Sequence, residues 1–317
     1  MPCYKPIEAW YSKSLNPTGK RSLVFNAKQA LQPDAPIEIA CGQCIGCRVE
    51  RSRQWAVRCC HEASLYTVNS FVTLTFDNEH LHQREKPWSL DKSDLQKFMK
   101  RLRKFYFGSK KSDIRYYACG EYGDKNSRPH YHILLFNFDF PDKELFNISN
   151  GNRYYISEQL SKIWPYGFCI IGDVTYQSAA YVARYINKKI TGDGAEDHYQ
   201  AVDIETGEIY EVLPEFNLMS RRPAIGRDWF DTFSGDVYPS DFVVIDGKRH
   251  RPPKYYDKLF ESLDAEHLEY IKDMRNIKAQ RFNDENTRSR LDVREQVFAR
   301  KIDKLVRPLG DNDNGNS

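Results

Sequence analysis

The pattern of apolar and polar positions changes period several times along the chain, and each change marks a predicted element. Residues 1–40 hold no sustained period and are rich in Pro, Asn and Gly, so this stretch is expected to be irregular. From Cys41 to Tyr66 a cysteine cluster leads into a helical run carrying Trp55, Val57 and Cys59 toward His61, Ala63 and Leu65. Ser70 to Phe76 (SFVTLTF) is β-branched and aromatic, which predicts a strand. Ser89 or Asp91 can cap a helix whose apolar positions Leu95, Phe98, Met99, Leu102, Phe105 and Tyr106 follow helical spacing.

Ile114 to Glu121 reads as a strand, YGDKNSRP as a turn, and His130 to Phe138 as a second strand, together a hairpin. A short helix is predicted near Ser157 to Trp164, a strand near Phe168 to Val174, and a helix over Ser178 to Ile190. Two more hairpins are expected, one through Glu205-Thr206-Gly207-Glu208 and one through the turn dipeptide Asp246-Gly247. Tyr255 to Val306 reads as two charged helices broken near Asn283 to Asn286, and residues 307–317 read as a disordered tail. No internal repeat is visible. The order strand, helix, hairpin, helix, strand, helix predicts an α+β domain, an antiparallel sheet with helices on one face.

Composition changes this picture little. Among 317 residues, 40% hydrophobic content is enough to bury a core, and a formal net charge of +3 argues neither for nor against a polyanion. Aromatic content of 14% supplies rings that stack on bases in a nucleic-acid reading, although most rings are expected in core packing. Charge distribution says more. Lys97, Lys100, Arg101, Arg103, Lys104, Lys110 and Lys111 crowd one stretch, while acids collect from Asp193 to Glu215. Such a basic patch fits a polyanion partner, and it equally fits a solvated helix face. The first residues lack the apolar run of a signal peptide, and no stretch is long and apolar enough to span a bilayer. A cytosolic protein is expected, in which the eight cysteines are thiols or metal ligands rather than disulfides.

His130-Tyr131-His132 is the most informative tripeptide. Side chains alternate along a strand, so both imidazoles point to one face, about 7 Å apart along the chain, and can converge on one divalent ion. Glu121 precedes the turn, so the hairpin can bring its carboxylate beside them. Two imidazoles and a carboxylate leave open positions for phosphate oxygens, and the mixed N/O set suits Mg²⁺ or Mn²⁺. Two histidines satisfied within the fold and a carboxylate in solvent remain the alternative.

Tyr181 and Tyr185 lie one turn apart on the next predicted helix, beside an apolar stripe of Ala179, Val182, Ile186 and Ile190. Lys188 and Lys189 follow within a turn and can steady negative charge or lower a phenol pKa. Two tyrosines at this spacing are also a common packing pair. Cys41, Cys44 and Cys47 stand at three-residue spacing, with a fourth ligand open among Cys3, Cys59, Cys60 and His61. Cys3, in the irregular arm, is preferred. Structural Zn²⁺ is the favoured reading, beside free thiols or an iron–sulfur cluster.

FVTLTF at Phe71 to Phe76, GEYG followed by RPHYHILLF at Gly120 to Phe136, and YVARYINKK at Tyr181 to Lys189 resemble the HUH endonucleases. More closely, with MSRRPAIG at Met219 to Gly226, they resemble the replication initiators of small single-stranded DNA phages, the gokushovirus-type microviruses. The resemblance covers about residues 40 to 230. It implies a metal on His130 and His132 with an acidic third ligand placed at Glu121, Tyr181 and Tyr185 as nucleophiles, and Lys188 as the motif lysine. It also implies nicking of a single-stranded origin, a 5′-phosphotyrosine link and rolling-circle replication. Tyr131 departs from the family, where the middle residue is more often aliphatic. On this reading Lys97, Lys100, Arg101, Arg103, Lys104, Arg184, Lys189, Arg221 and Arg222 are candidate DNA contacts.

The expected organisation is a cysteine-rich arm and helix over 1–66, an HUH-type core of antiparallel sheet flanked by helices over 67–235, a hairpin and helical region over 236–306, and the tail. Host helicase and polymerase are expected partners, in the cytoplasm of an infected bacterium. A plasmid or transposon HUH nickase, a non-catalytic single-strand binder, and a metallonuclease using water are the alternatives.

Overall fold

The computed structural model describes residues 3–17, 19–123, 126–184, 195–202 and 206–303. Two compact units emerge, one of Met1–Arg51 with Lys272–Val306, the other built on Ser52–Ile271. The first holds a three-stranded antiparallel sheet, with β1 (Ile7–Leu15) between β2 (Arg21–Val24) and β3 (Ile37–Ile39). Residues 1–40 are therefore not irregular. The sheet escapes a periodicity search because β1 buries only Ala9 and Ser12 and shows no clean alternation. Helix α1 (Ile45–Ala63) begins in this unit and runs on into the second.

The second unit is organised by a seven-stranded antiparallel sheet. Its strands are β4 (Asn69–Leu74), β5 (Arg115–Tyr122), β6 (Pro129–Phe136), β7 (Glu144–Ser149), β8 (Asn152–Ile156), β9 (Cys169–Gly172) and β12 (Phe216–Met219). Their spatial order is β12-β5-β6-β4-β9-β8-β7. Between them lie α2 (Asn78–His82), α3 (Lys92–Phe107), α4 (Glu158–Ile163), α5 (Tyr176–Arg184), α6 (Ala195–His198) and a small hairpin of β10 (Gln200–Val202) and β11 (Ile209–Glu211). Asp91 caps α3 by accepting from the Ser93 amide, and Ser157 caps α4 by accepting from that of Leu160.

Helices cover both faces of this sheet, not one. On one side Val72, Leu74, Ala118, Tyr131, Ile133 and Leu135 pack against Leu95, Phe98, Met99 and Leu102 of α3 and Leu160 and Ile163 of α4. On the other, Phe71, Tyr117, Cys119, Leu134 and Phe136 pack against Ala56 and Cys59 of α1 and Ala179, Val182 and Ala183 of α5. The reason is visible in β6, where every residue from Tyr131 to Phe136 is buried. A strand covered on one side alternates; one covered on both reads as a continuous apolar run. Ser52 ties the two helices of the second face, its hydroxyl donating to the Ala180 carbonyl at 3.1 Å.

Beyond the sheet come α7 (Arg227–Val237), a hairpin of β13 (Val243–Ile245) and β14 (Lys248–His250), α8 (Lys254–Glu261), α9 (Ala265–Gln280) and α10 (Arg288–Asp303). The region after Tyr255 therefore carries three helices rather than two. A 3₁₀ turn at Asn283–Asn286 supplies the expected break, and a second break at Ser262–Asp264 separates α8 from α9. Phe230, Tyr256, Phe260, Leu268 and Ile271 gather with Val57 of α1 into a further core.

Candidate active site

The β5–β6 hairpin decides the geometry. Its register sets Glu121 directly across from His130, and Cys119 across from His132, which also faces Thr73 of β4. Glu121, His130 and His132 thus share one face, the face covered by α1 and α5. One ligand atom from each of the three lies within 4.8 Å of the other two. His130 Nε2 is 2.8 Å and His132 Nε2 2.7 Å from the same oxygen, Glu121 Oε1.

The outer nitrogens explain this orientation. His130 Nδ1 lies 3.0 Å from the Arg128 carbonyl, which only accepts, so that nitrogen carries a proton. Its Nε2 faces a carboxylate oxygen, a contact that a proton or a bound cation between the two groups makes favourable. His132 Nδ1 is 2.9 Å from Thr73 Oγ1, and its ring stacks on Phe71 with centroids 5.6 Å apart. Imidazoles fixed through Nδ1 with Nε2 turned inward, opposite a carboxylate, form a donor set that can hold a metal ion. Burial pushes the Glu121 carboxyl up, but the hydrogen bonds and charge of His130 and His132 outweigh it and hold it at about 2. Phe71, Thr73 and Arg128 lie within the motifs FVTLTF and RPHYHILLF, but their orienting roles are not legible there. Those of Phe71 and Thr73 come from β4 lying beside β6, and that of Arg128 from its carbonyl turning to His130.

Helix α5 brings Tyr181 to the same place. Its hydroxyl donates to Glu121 Oε1 at 3.2 Å, and its ring meets that of His132 edge-on, centroids 5.0 Å apart. Access comes from the His130 side, whose side chain is 18% exposed against 2% for Glu121 and His132. Arg184, half-buried, ends the described part of α5. Tyr185, Lys188 and Lys189 lie outside the described residues.

The basic cluster is not at this site. Helix α3 lies against the opposite sheet face, with Lys97, Lys100 and Lys104 exposed. Arg101 and Arg103 correct the expectation of a row of open cations. Arg101 donates to Tyr166 Oη at 3.1 Å, and Arg103 to the Ile114 carbonyl at 3.0 Å, so both guanidinium groups brace the fold. Arg221 and Arg222 are exposed just past Ser220, whose amide donates to the Tyr116 carbonyl, at the end of β5 remote from Glu121. Their motif carries structure: Ile225 is buried, its carbonyl accepts from Arg58, and the Gly226 amide donates to Glu62 at 2.7 Å.

Residues 69–190, from β4 through α5, match the family model "replication-associated protein ORF2/G2P". Over 267 residues the chain is 33% identical to replication-associated protein VP4 of Bdellovibrio phage phiMH2K, covering 82% of this chain and 78% of that one. The chain belongs to this family of phage replication-associated proteins. It is also 36% identical over 253 residues to replication-associated protein ORF2 of Spiroplasma virus 4, covering 77% of this chain and 74% of the relative. Replication-associated protein ORF4 of Chlamydia phage 1 is 28% identical over 240 residues, covering 73% and 56%. No solved structure matches. The matched segment of this replication-associated protein includes Glu121, His130, His132 and Tyr181. Among the described residues no helix is long and apolar enough to cross a membrane.

Proposed function

We propose that this replication-associated protein starts replication by nicking single-stranded DNA at an origin with Tyr181 or Tyr185 and remaining joined to the 5′ end. One observation supports this above the rest: a phenol hydroxyl 3.2 Å from a carboxylate oxygen that both imidazoles also face. Glu121, His130 and His132 would hold Mg²⁺ or Mn²⁺, which when bound polarises a phosphodiester and offsets the charge gathered in its displacement.

The residues of the chain do the rest. A phenol has a pKa of about 10 and is mostly protonated at neutral pH, so it attacks only when held in line with an activated phosphate. Glu121 Oε1 orients the Tyr181 O–H, and burial of the ring on His132 fixes its approach. As the bond from Tyr181 Oη to phosphorus forms, the bond from phosphorus to the 3′ oxygen breaks. The phenol proton passes to solvent, and solvent returns a proton to the departing 3′ oxygen, which leaves as a free 3′-OH. The phosphotyrosine ester conserves the bond, so a returning 3′-OH reverses the step and rejoins the strand. Tyr185 supplies a second nucleophile while the first is occupied, and Lys188 offsets developing charge. Arg184 and Lys189 are proposed strand contacts; the α3 lysines, Arg221 and Arg222 would meet flanking DNA. The free 3′-OH makes a host polymerase, served by a helicase, the fitting partner, in the cytoplasm of an infected bacterium.

A labelled single-stranded origin fragment with Mn²⁺ tests the reading on a denaturing gel. A DNA-shifted protein band should form with the native chain and vanish with Tyr181→Phe plus Tyr185→Phe. A band that survives the double substitution rejects the nucleophile. Salt-sensitive binding without any cleavage supports the non-catalytic binder instead.

A further inference from the structure

The second cluster of ligating side chains lies in the other unit. Cys3, Cys41, Cys44 and Cys47 place all four sulfurs within 4.8 Å of one another. Cys3 Sγ is 3.5 Å from that of Cys41 and 3.9 Å from that of Cys44, and none of these thiols is in a disulfide. A zinc ion with Zn–S bonds of about 2.3 Å requires a sulfur tetrahedron with edges of about 3.8 Å. In an iron–sulfur cluster the four cysteines are divided among two or four irons, so all four sulfurs cannot lie this close to one another.

Backbone amides are aimed at the sulfurs. Tyr4 N–H donates to Cys44 Sγ at 3.3 Å and Cys41 N–H to Cys3 Sγ at 3.2 Å. The amides of Gln43 and Cys44 both donate to Cys41 Sγ, at 3.4 and 3.3 Å. Such donors stabilise thiolate, the ligand form, and Cys44 and Cys47 flank the positive N-terminal end of α1. Four soft ligands without an open position select zinc over Mg²⁺ or Mn²⁺ and make the site structural.

The unit around them needs such a staple. Its buried apolar residues, among those described, are Tyr4, Ala9, Ala30, Cys44 and Leu291, and two of these are alanines. A core of that size does not hold a fold by burial alone. Tyr4, Leu291 and Phe298 pack around the cysteines, with the rings of Tyr4 and Phe298 5.9 Å apart, and Lys5 pairs with Glu295 at 3.5 Å. The four cysteines therefore join the N-terminal arm, the start of α1 and α10 at one point.

We infer that Cys3, Cys41, Cys44 and Cys47 bind one structural zinc ion, and that folding of the unit they occupy depends on it. The full chain, purified without added metal, should carry one zinc ion by mass spectrometric metal analysis, and the His130→Ala, His132→Ala double variant should keep it. Exchange into Co²⁺ should give sulfur-to-metal charge-transfer bands and the ligand-field bands of a tetrahedral thiolate site. Cys44→Ser should lose the zinc, and hydrogen exchange should then show protection lost over residues 3–50 and 288–303 but retained in β4–β6. Zinc absent from the native chain overturns the inference, as does iron in its place, cobalt spectra without thiolate bands, or unchanged protection in metal-free protein.

Discussion

His61 makes the stability of the sheet-bearing unit depend on pH in a way that can be worked from its surroundings. The ring is buried on α1, stacked on Trp229 with centroids 3.5 Å apart, and its Nδ1 lies 2.9 Å from Tyr256 Oη. Burial, with a smaller push from His250, depresses its pKa from 6.5 to about 3. Above pH ~6.5 the ring is neutral in both folded and unfolded chains, and the shift has no effect. Below that the unfolded chain takes up a proton that the folded one refuses. The unfolded state then binds more protons, so stability falls as pH falls, down to the folded pKa. At pH 5 the difference between the two pKa values gives a loss of about 2 kcal/mol, a large share of a domain stability of about 5–15 kcal/mol. Substituting His61→Phe keeps a ring on Trp229 and removes the titration. It also leaves the Tyr256 hydroxyl without this partner, at a pH-independent cost of about 1 kcal/mol. Hydrogen exchange of the α1 amides from Ser52 to Ala63, followed from pH 7.5 to 5, reads the opening free energy of that unit. The native chain should lose about 2 kcal/mol more than the variant over this range. Equal pH slopes in the two proteins would refute the assignment of a buried neutral imidazole.

Three further outcomes rest on the packing described above. Thr73→Val removes the partner of His132 Nδ1 and should weaken Mn²⁺ binding about 10- to 100-fold by calorimetry; unchanged affinity would show that Thr73 does not orient the ligand. Gly226→Ala sets a side chain at φ +76°, with its Cβ 2.7 Å from Tyr256 Oη and 3.3 Å from the Arg58 carbonyl, and should destabilise by about 2 kcal/mol or more in urea unfolding. A neutral effect there would mean that the loop before α7 shifts freely. Lys97→Glu with Lys100→Glu and Lys104→Glu should leave cleavage of a short oligonucleotide intact, because those residues stand across the sheet from the histidines; loss of cleavage would mean the strand wraps both faces.

The convergence of Glu121, His130, His132 and Tyr181 was legible because its signals are local. Alternation along β6 puts two histidines on one face, the pairing of β5 with β6 returns Glu121 to them, and α5 brings Tyr181 to the same carboxylate. What escaped was what alternation cannot carry. The hairpin of β7 and β8 leaves Leu145, Phe146 and Ile148 exposed, so it has no buried period to betray it. The buried run Tyr131–Phe136 and the apolar strand around Phe71–Leu74 do report helices on both sides, a signal lost when each strand is read for one apolar face only. Cys3, preferred as the fourth cysteine, does meet Cys41 and Cys44 about forty residues away, whereas nothing in the pattern of α3 shows that Arg101 and Arg103 spend their donors on Tyr166 and the Ile114 carbonyl. Charge on a helix says which residues are basic, not whether their donors are already engaged.

The most direct measurement is peptide mass spectrometry of the native chain after reaction with a single-stranded origin oligonucleotide and Mn²⁺. A nucleotide carried through its 5′ phosphate on Tyr181 or Tyr185, with an unblocked 3′-OH on the released fragment, is the predicted result. Cleaved DNA with free 5′ phosphates, alongside both tyrosines recovered unmodified, would instead assign the cut to water and contradict the account.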